Sequence, residues 1–218
     1  MPDEKTLDAV DRDGAIRETA DRVRGDRRAD LLRRAAVATG GMVGGAAAIM
    51  AIPGVAGAQS RRDRDILNFA LTLEELEAAF YAQALERAGL TGPVLEFART
   101  VAVHEASHVK SLRGVLGSSA IARPTFDFKD TTTDGTKFLA TAIALEDTGV
   151  RAYKGQAPRI QSTAVLKAAL AIHSVEARHA AWVRTFVAGQ NPVPFPVEPP
   201  RSMSATLEVV RDTGFIVS

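Results

Sequence analysis

Apolar residues recur at helical spacing in four stretches of the chain, and each stretch is broken near its middle by a carboxylate. From Asp63 to Gly89, Ile66, Leu67, Ala70, Leu71, Ala78 and Leu85 fall on one face of a 3.6-residue repeat. Gly89 and the turn Thr91-Gly92-Pro93 end this helix, and Pro93 suits the first turn of the next. That second helix is predicted to reach Leu116, with Val94, Ala98, Val101, Leu112 and Val115 as its stripe. Residues 117–133 lose the period. Ser118-Ser119, Pro124 and Thr131-Thr132-Thr133 predict a long crossover, with Thr125–Phe128 extended and both aromatics packed on the helices. A third helix is predicted from Asp134, its cap, to Gln156, with Leu139, Ala142 and Val150 inward. Ala157-Pro158 interrupts it. The fourth is predicted from Ser162 to Ala188, with Val165, Ala169, Ile172, Val183 and Phe186 on one face and Gly189 as its stop.

The expected fold is therefore all-α, an antiparallel four-helix bundle over residues 59–189 with one long crossover between helices two and three. The proline-rich run Asn191–Pro200 predicts extended chain. A short helix over Ser202–Arg211 and an apolar end complete a tail, 190–218, expected to pack back on the bundle.

The polar residues inside the stripes carry the chemistry. Glu74 and Tyr81 interrupt helix one, Glu105 and His108 helix two, Glu146 and Tyr153 helix three, and Glu176 and His179 helix four. Glu105/His108 and Glu176/His179 are Glu-x-x-His pairs, and a spacing of three puts both side chains on one helix face. Four unpaired carboxylates in an apolar core would be very unfavourable, and no matching lysines or arginines share these faces. Divalent cations would neutralise them. The chain has no cysteine, so any metal is held by nitrogen and oxygen.

An internal repeat supports this. Ala70-Leu-Thr-Leu-Glu74 matches Ala142-Ile-Ala-Leu-Glu146, and each glutamate is followed seven residues on by one of the chain's two tyrosines. Glu105-Ala-Ser-His108 matches Glu176-Ala-Arg-His179. Two such half-sites related by a two-fold would make a symmetric dinuclear centre. Glu77 lies near the right face, but its repeat counterpart is Gly149, which cannot ligate; Glu75 points a quarter turn away and reads as a surface residue. His104, one turn before His108, and His173, near Glu176, could each stand behind a ligand, but as helix-surface or rim histidines they are left out of the ligand set; Trp182 and Phe186 read as core.

With these motifs, residues 63–189 resemble the ferritin-like superfamily. Leu67-Asn-Phe-Ala-Leu-Thr-Leu-Glu-Glu-Leu-Glu-Ala-Ala-Phe-Tyr81 is similar to exported ferritin-like and desiccation-related proteins. Rubrerythrins, bacterioferritins and manganese catalases share the wider metal pattern. The resemblance implies that Glu74 and His108 serve one metal, Glu146 and His179 the other, and that Glu105 and Glu176 bridge. It also implies that Tyr81 and Tyr153 hold the ligands in place. Two iron ions are the expected cofactor, with manganese fitting the same ligands. The expected activity is oxidation of ferrous iron by oxygen or peroxide. The rivals are a manganese centre dismuting peroxide and a stress or envelope protein in which metal only staples the helices.

Before the bundle, Arg27-Arg28 and Arg33-Arg34 precede an uncharged, glycine-containing run from Ala35 to Ala58 that ends Ala56-Gly57-Ala58. The order basic, apolar, small predicts an export signal over residues 1–58, cut after Ala58, and resembles the twin-arginine type. If uncut, residues 35–58 would anchor the protein at a membrane. The net charge of +1 gives no argument for nucleic acid. The expected partners are metal ions, oxygen or peroxide, and further copies of the chain.

Overall fold

The computed structural model describes residues 59–217. The export segment expected over 1–58 lies outside the described residues.

Five α-helices form among the described residues: α1 (Arg61–Arg87), α2 (Gly92–Leu116), α3 (Gly135–Gln156), α4 (Thr163–Arg184) and α5 (Met203–Thr213). Side chains set where most of them begin. Ser60, Asp134, Ser162 and Ser202 each accept a hydrogen bond from the backbone N–H three residues on, a cap of about 1 kcal/mol. The α1–α2 and α3–α4 connections are short, so each pair packs as an antiparallel hairpin. The two hairpins then pack α1 on α3 and α2 on α4. Residues 117–134 form the long crossover. This is the bundle that the stripes predict.

Among the helix ends that differ from the sequence reading, two have a visible cause. α4 stops at Arg184 rather than Ala188. Arg184 turns its guanidinium back to Ala180 O (2.8 Å) and to Asp147 on α3 (2.5 Å). The next residues close tighter turns, Phe186 N to Val183 O and Val187 N to Arg184 O. α1 starts two residues early because Ser60 caps it. Near that start, buried Asp63 accepts from Gln161 N (2.8 Å) and Ser162 N (3.0 Å), tying α1 to the α3–α4 turn.

α1 is buried on more sides than its stripe predicts. Phe69, Leu73, Leu76 and Phe80 are all covered. Phe80 stacks on Phe138 and meets Phe128 of the crossover edge-on, and Phe128 in turn meets Phe215. Crossover and chain end are joined by an antiparallel bridge between Phe126 and Ile216, with Asp127 N on Phe215 O at 2.8 Å. The tail is held against α3 by Arg201 N on Arg151 O (3.0 Å) and by Arg151 on Glu198 (2.5 Å). Gly155 permits that approach, since a Cβ there would fall 1.8 Å from Arg201 O. Among the described residues no helix is long and apolar enough to cross a membrane.

Candidate metal centre

All six residues proposed as ligands are buried, at mid-height on four different helices. Helical spacing explains the placement. Glu105/His108 on α2 and Glu176/His179 on α4 each lie one turn apart on an inward face, while Glu74 and Glu146 face them from α1 and α3.

The side chains form two overlapping groups. Ligand atoms of Glu74, Glu105, His108 and Glu176 lie within 4.8 Å of one another, as do those of Glu105, Glu146, Glu176 and His179. Glu105 and Glu176 belong to both. In the first group His108 Nδ1 stands 3.1 Å from Glu74 Oε2, 3.1 Å from Glu105 Oε2 and 3.1 Å from Glu176 Oε1. In the second, His179 Nδ1 stands 3.1 Å from Glu105 Oε1 and 3.3 Å from Glu146 Oε2.

The tyrosines cross between the hairpins. Tyr81 on α1 donates to Glu146 Oε1 on α3 at 2.5 Å, and Tyr153 on α3 donates to Glu74 Oε1 on α1 at 2.5 Å. Each bond occupies one carboxylate oxygen and leaves Oε2 facing an imidazole. Burial, then the neighbouring glutamate, pushes both phenols well above their usual range, so both remain donors.

The sequence pattern of the ferritin-like domain family matches residues 62–189. The chain belongs to the ferritin-like family. Among curated proteins, nothing matches it.

The donor set of this ferritin-like domain fits a metal cation. One imidazole nitrogen cannot satisfy the three carboxylate oxygens around His108. Several buried polar atoms have no hydrogen-bond partner, among them Glu105 Oε1, Glu146 Oε2, both Glu176 oxygens and His179 Nδ1. Without a cation such a cluster is costly. Its strain shows in proton affinities. Burial, opposed by His108, raises Glu74 to about 7. Burial and the charge of Glu105 push Glu176 well above the usual range. Burial also pushes Glu105 up, but His108 and His179 beside it more than offset that and hold it well below the usual range. Burial opposes protonating His179, yet Glu105 and Glu146 outweigh it and hold the ring at about 10.

One residue near the centre departs from the sequence reading, and two others gain a role in the structure. Glu75 is not a surface residue. It is buried and paired with Arg113 (2.6 Å) and with Arg123 of the crossover (2.9 Å). Glu77 is also buried and faces Gly149. A Cβ at Gly149 would lie 3.3 Å from Glu77 Oε1 and 3.3 Å from Glu176 Oε2, so the glycine makes room for a fifth carboxylate beside the cluster. The unequal repeat position, Glu77 against Gly149, is the sequence signal for that. His104 is exposed, as expected of a rim residue, but its Nδ1 lies 2.9 Å from His179 Nε2 and the two rings stack. It therefore supports the outer nitrogen of a proposed ligand. The counterpart of His104 in the repeat is Val175, so this support exists in one half only. His173 stays half-buried and outside both groups.

Proposed function

We propose that this ferritin-like protein holds a carboxylate-bridged pair of iron ions and oxidises ferrous iron with oxygen or peroxide after export. The observation that carries the reading is the sharing of Glu105 and Glu176 between two four-residue groups. Four ionised carboxylates and two neutral imidazoles carry the charge that two divalent cations balance. Carboxylate with imidazole suits iron and manganese better than soft metals. When bound, two adjacent metals supply one-electron steps and a place for an oxidant between them. Glu74 and His108 would hold one ion, Glu146 and His179 the other, and Glu105 and Glu176 would bridge. Tyr81 and Tyr153 orient Glu146 and Glu74, which fixes the terminal carboxylates before metal arrives. His104 orients His179. The apolar side chains around the cluster limit water. Ferrous iron as substrate would lose one electron per ion, and dioxygen would take up the two electrons from two such ions with two protons and leave as hydrogen peroxide. Support for export comes from the paired arginines and the apolar run ending Ala56-Gly57-Ala58.

Metal analysis of the purified domain beginning at Gln59 tests the reading. Two iron atoms per chain, lost in Glu105→Ala, together with rapid oxidation of added ferrous iron, support it. Manganese in place of iron would move the chemistry to peroxide. A domain that folds unchanged and takes up no metal would sink the reading.

A further inference from the structure

Where α1 begins, a surface groove of about 710 Å3 lies between the first turn of α1, the α3–α4 turn and the first turn of α5. Its charged groups are Arg61, Arg62 and Arg159 against one carboxylate, Asp65. Among the described residues none of the three guanidinium groups makes an ion pair or a side-chain hydrogen bond. Two of them also stand at the wrong end of a helix. Arg61 and Arg62 are in the first turn of α1, where the helix dipole is positive and favours acidic groups. The acid of that turn, Asp63, is buried and engaged by Gln161 N and Ser162 N. Those same bonds hold the α3–α4 turn against α1 and bring Arg159 to the groove.

The start of α5 adds neutral donors. Like the first N–H groups of any helix, those of Met203 and Ser204 have no acceptor within the helix. Ser202 and Ser204 share a hydrogen bond at 3.1 Å, and Ser202 Oγ also accepts from Ala205 N. Whichever hydroxyl donates to the other, one O–H remains to donate outward.

This donor set selects a ligand. A carboxylate is already matched by a single guanidinium in a two-bond fork. Three guanidinium groups, a free O–H and a helix start suit an anion with more oxygens and more charge, a phosphate. Gln156 adds a second requirement. It lines the groove, is buried, and its Oε1 has no hydrogen-bond partner. An acceptor beside an anion site is satisfied by a hydroxyl on the ligand. Ile66, Met203 and Leu207 give the groove a hydrocarbon side, which a bare inorganic anion would leave unused. No aromatic side chain lines it, so nothing there stacks a nucleobase.

We infer that this groove binds a phosphate ester that carries a free hydroxyl. Arg61, Arg62, Arg159 and the start of α5 hold the phosphate, and Gln156 takes the hydroxyl. Two sources share that chemistry, a soluble polyol phosphate and the glycerophosphate headgroup of a lipid. The site is independent of the metal centre and of its proposed reaction.

Calorimetric titration of the full chain with glycerol phosphate is expected to show one saturable site, with inorganic phosphate binding there about tenfold more weakly. Arg61→Gln and Arg159→Gln change exposed residues, so their helical circular dichroism should match the wild type. Each is expected to weaken glycerol phosphate by about fivefold or more. Gln156→Leu keeps the side-chain volume and is expected to abolish the preference over inorganic phosphate without changing the affinity for inorganic phosphate. Vesicles separate the two sources. Binding of the full chain to phosphatidylcholine vesicles with about 30% phosphatidylglycerol is expected to fall about fivefold in Arg159→Gln if the headgroup is the ligand. Equal vesicle binding by wild type and variant, with glycerol phosphate still lost in the variant, assigns the groove to a soluble ester. No saturable binding of glycerol phosphate or of the headgroup, or binding that both arginine variants leave unchanged, overturns the inference. Inorganic phosphate bound as tightly as the ester overturns it too, since the hydroxyl then has no role.

Discussion

Tyr81 on the first helix donates a hydrogen bond to Glu146 on the third at 2.5 Å, and Tyr153 returns the same bond to Glu74. Each hairpin therefore positions a buried glutamate of the other, Glu146 or Glu74. Removing one hydroxyl, Tyr81→Phe, leaves Glu146 Oε1 buried without its donor. The expected cost is about 1–3 kcal/mol of stability in the metal-free protein. The expected loss of metal affinity is about 10–100-fold. Tyr153→Phe should match it in size. Calorimetric metal titration with thermal unfolding checks both, and unequal effects would argue against the two-fold relation.

Bridging and terminal ligands should fail differently. Glu105 and Glu176 serve both groups, whereas Glu74 serves one. Glu74→Ala should retain about half of the bound metal under the proposed assignment, and Glu105→Ala close to none. Metal content per chain, measured after desalting, separates the two outcomes.

His104 supports only His179. In His104→Ala, one of the two metals should bind about tenfold more weakly and the other should be unaffected. A biphasic metal titration would show it. Because His104 is exposed, the change in melting temperature should be small.

Acidity should govern the metal-free and loaded forms in opposite ways. Glu74 is raised from 4.5 to about 7. The folded state thus binds this proton where the unfolded chain has lost it, so stability falls as pH rises from about 4.5 towards 7. His179 is raised from 6.5 to about 10. Its contribution is complete below about 6.5 and is lost as pH rises through about 10. Both signs make the metal-free protein weaken on the alkaline side. Metal must displace these protons, so its affinity rises with pH. Unfolding curves from mildly acidic to alkaline pH, with and without metal, should show the stability maximum moving upward on loading.

Glu77 is a buried carboxylate beside four others, raised by burial and then by Glu176. Glu77→Gln removes that repulsion and should leave the metal-free protein equally stable or more stable by about 1–3 kcal/mol. Gly149→Ala should act in the opposite sense. Its methyl would press on Glu77 and Glu176 at 3.3 Å, and metal uptake should drop. Denaturant unfolding and metal content of the two variants check this.

The helices and the eight inward polar residues could be read from the chain because both rest on local spacing. A Glu-x-x-His pair lies on one face wherever its helix packs. The family resemblance supplied the grouping of those residues, which spacing alone does not give. What escaped depended on distant chain. Glu75 has the phase of a flank residue, and Arg113 of α2 and Arg123 of the crossover together cover it and pair with it. His104 could be read as standing behind a ligand, but not behind which one, because its partner lies seventy-five residues away on another helix. The early end of α4 depends on Asp147 of α3 catching Arg184. The unequal pair Glu77 and Gly149 was visible in the repeat, and a glycine opposite a carboxylate signals vacated space as much as a missing ligand.

The crossed tyrosines bear on how such a molecule can be divided. Each hairpin holds one glutamate from the first helix, one Glu-x-x-His pair and one tyrosine, which is a complete kit of parts. Yet its tyrosine reaches only the other hairpin's carboxylate. A chain severed within the crossover would give two fragments that carry equal inventories and cannot function singly. They would regain the crossed hydrogen bonds only by pairing.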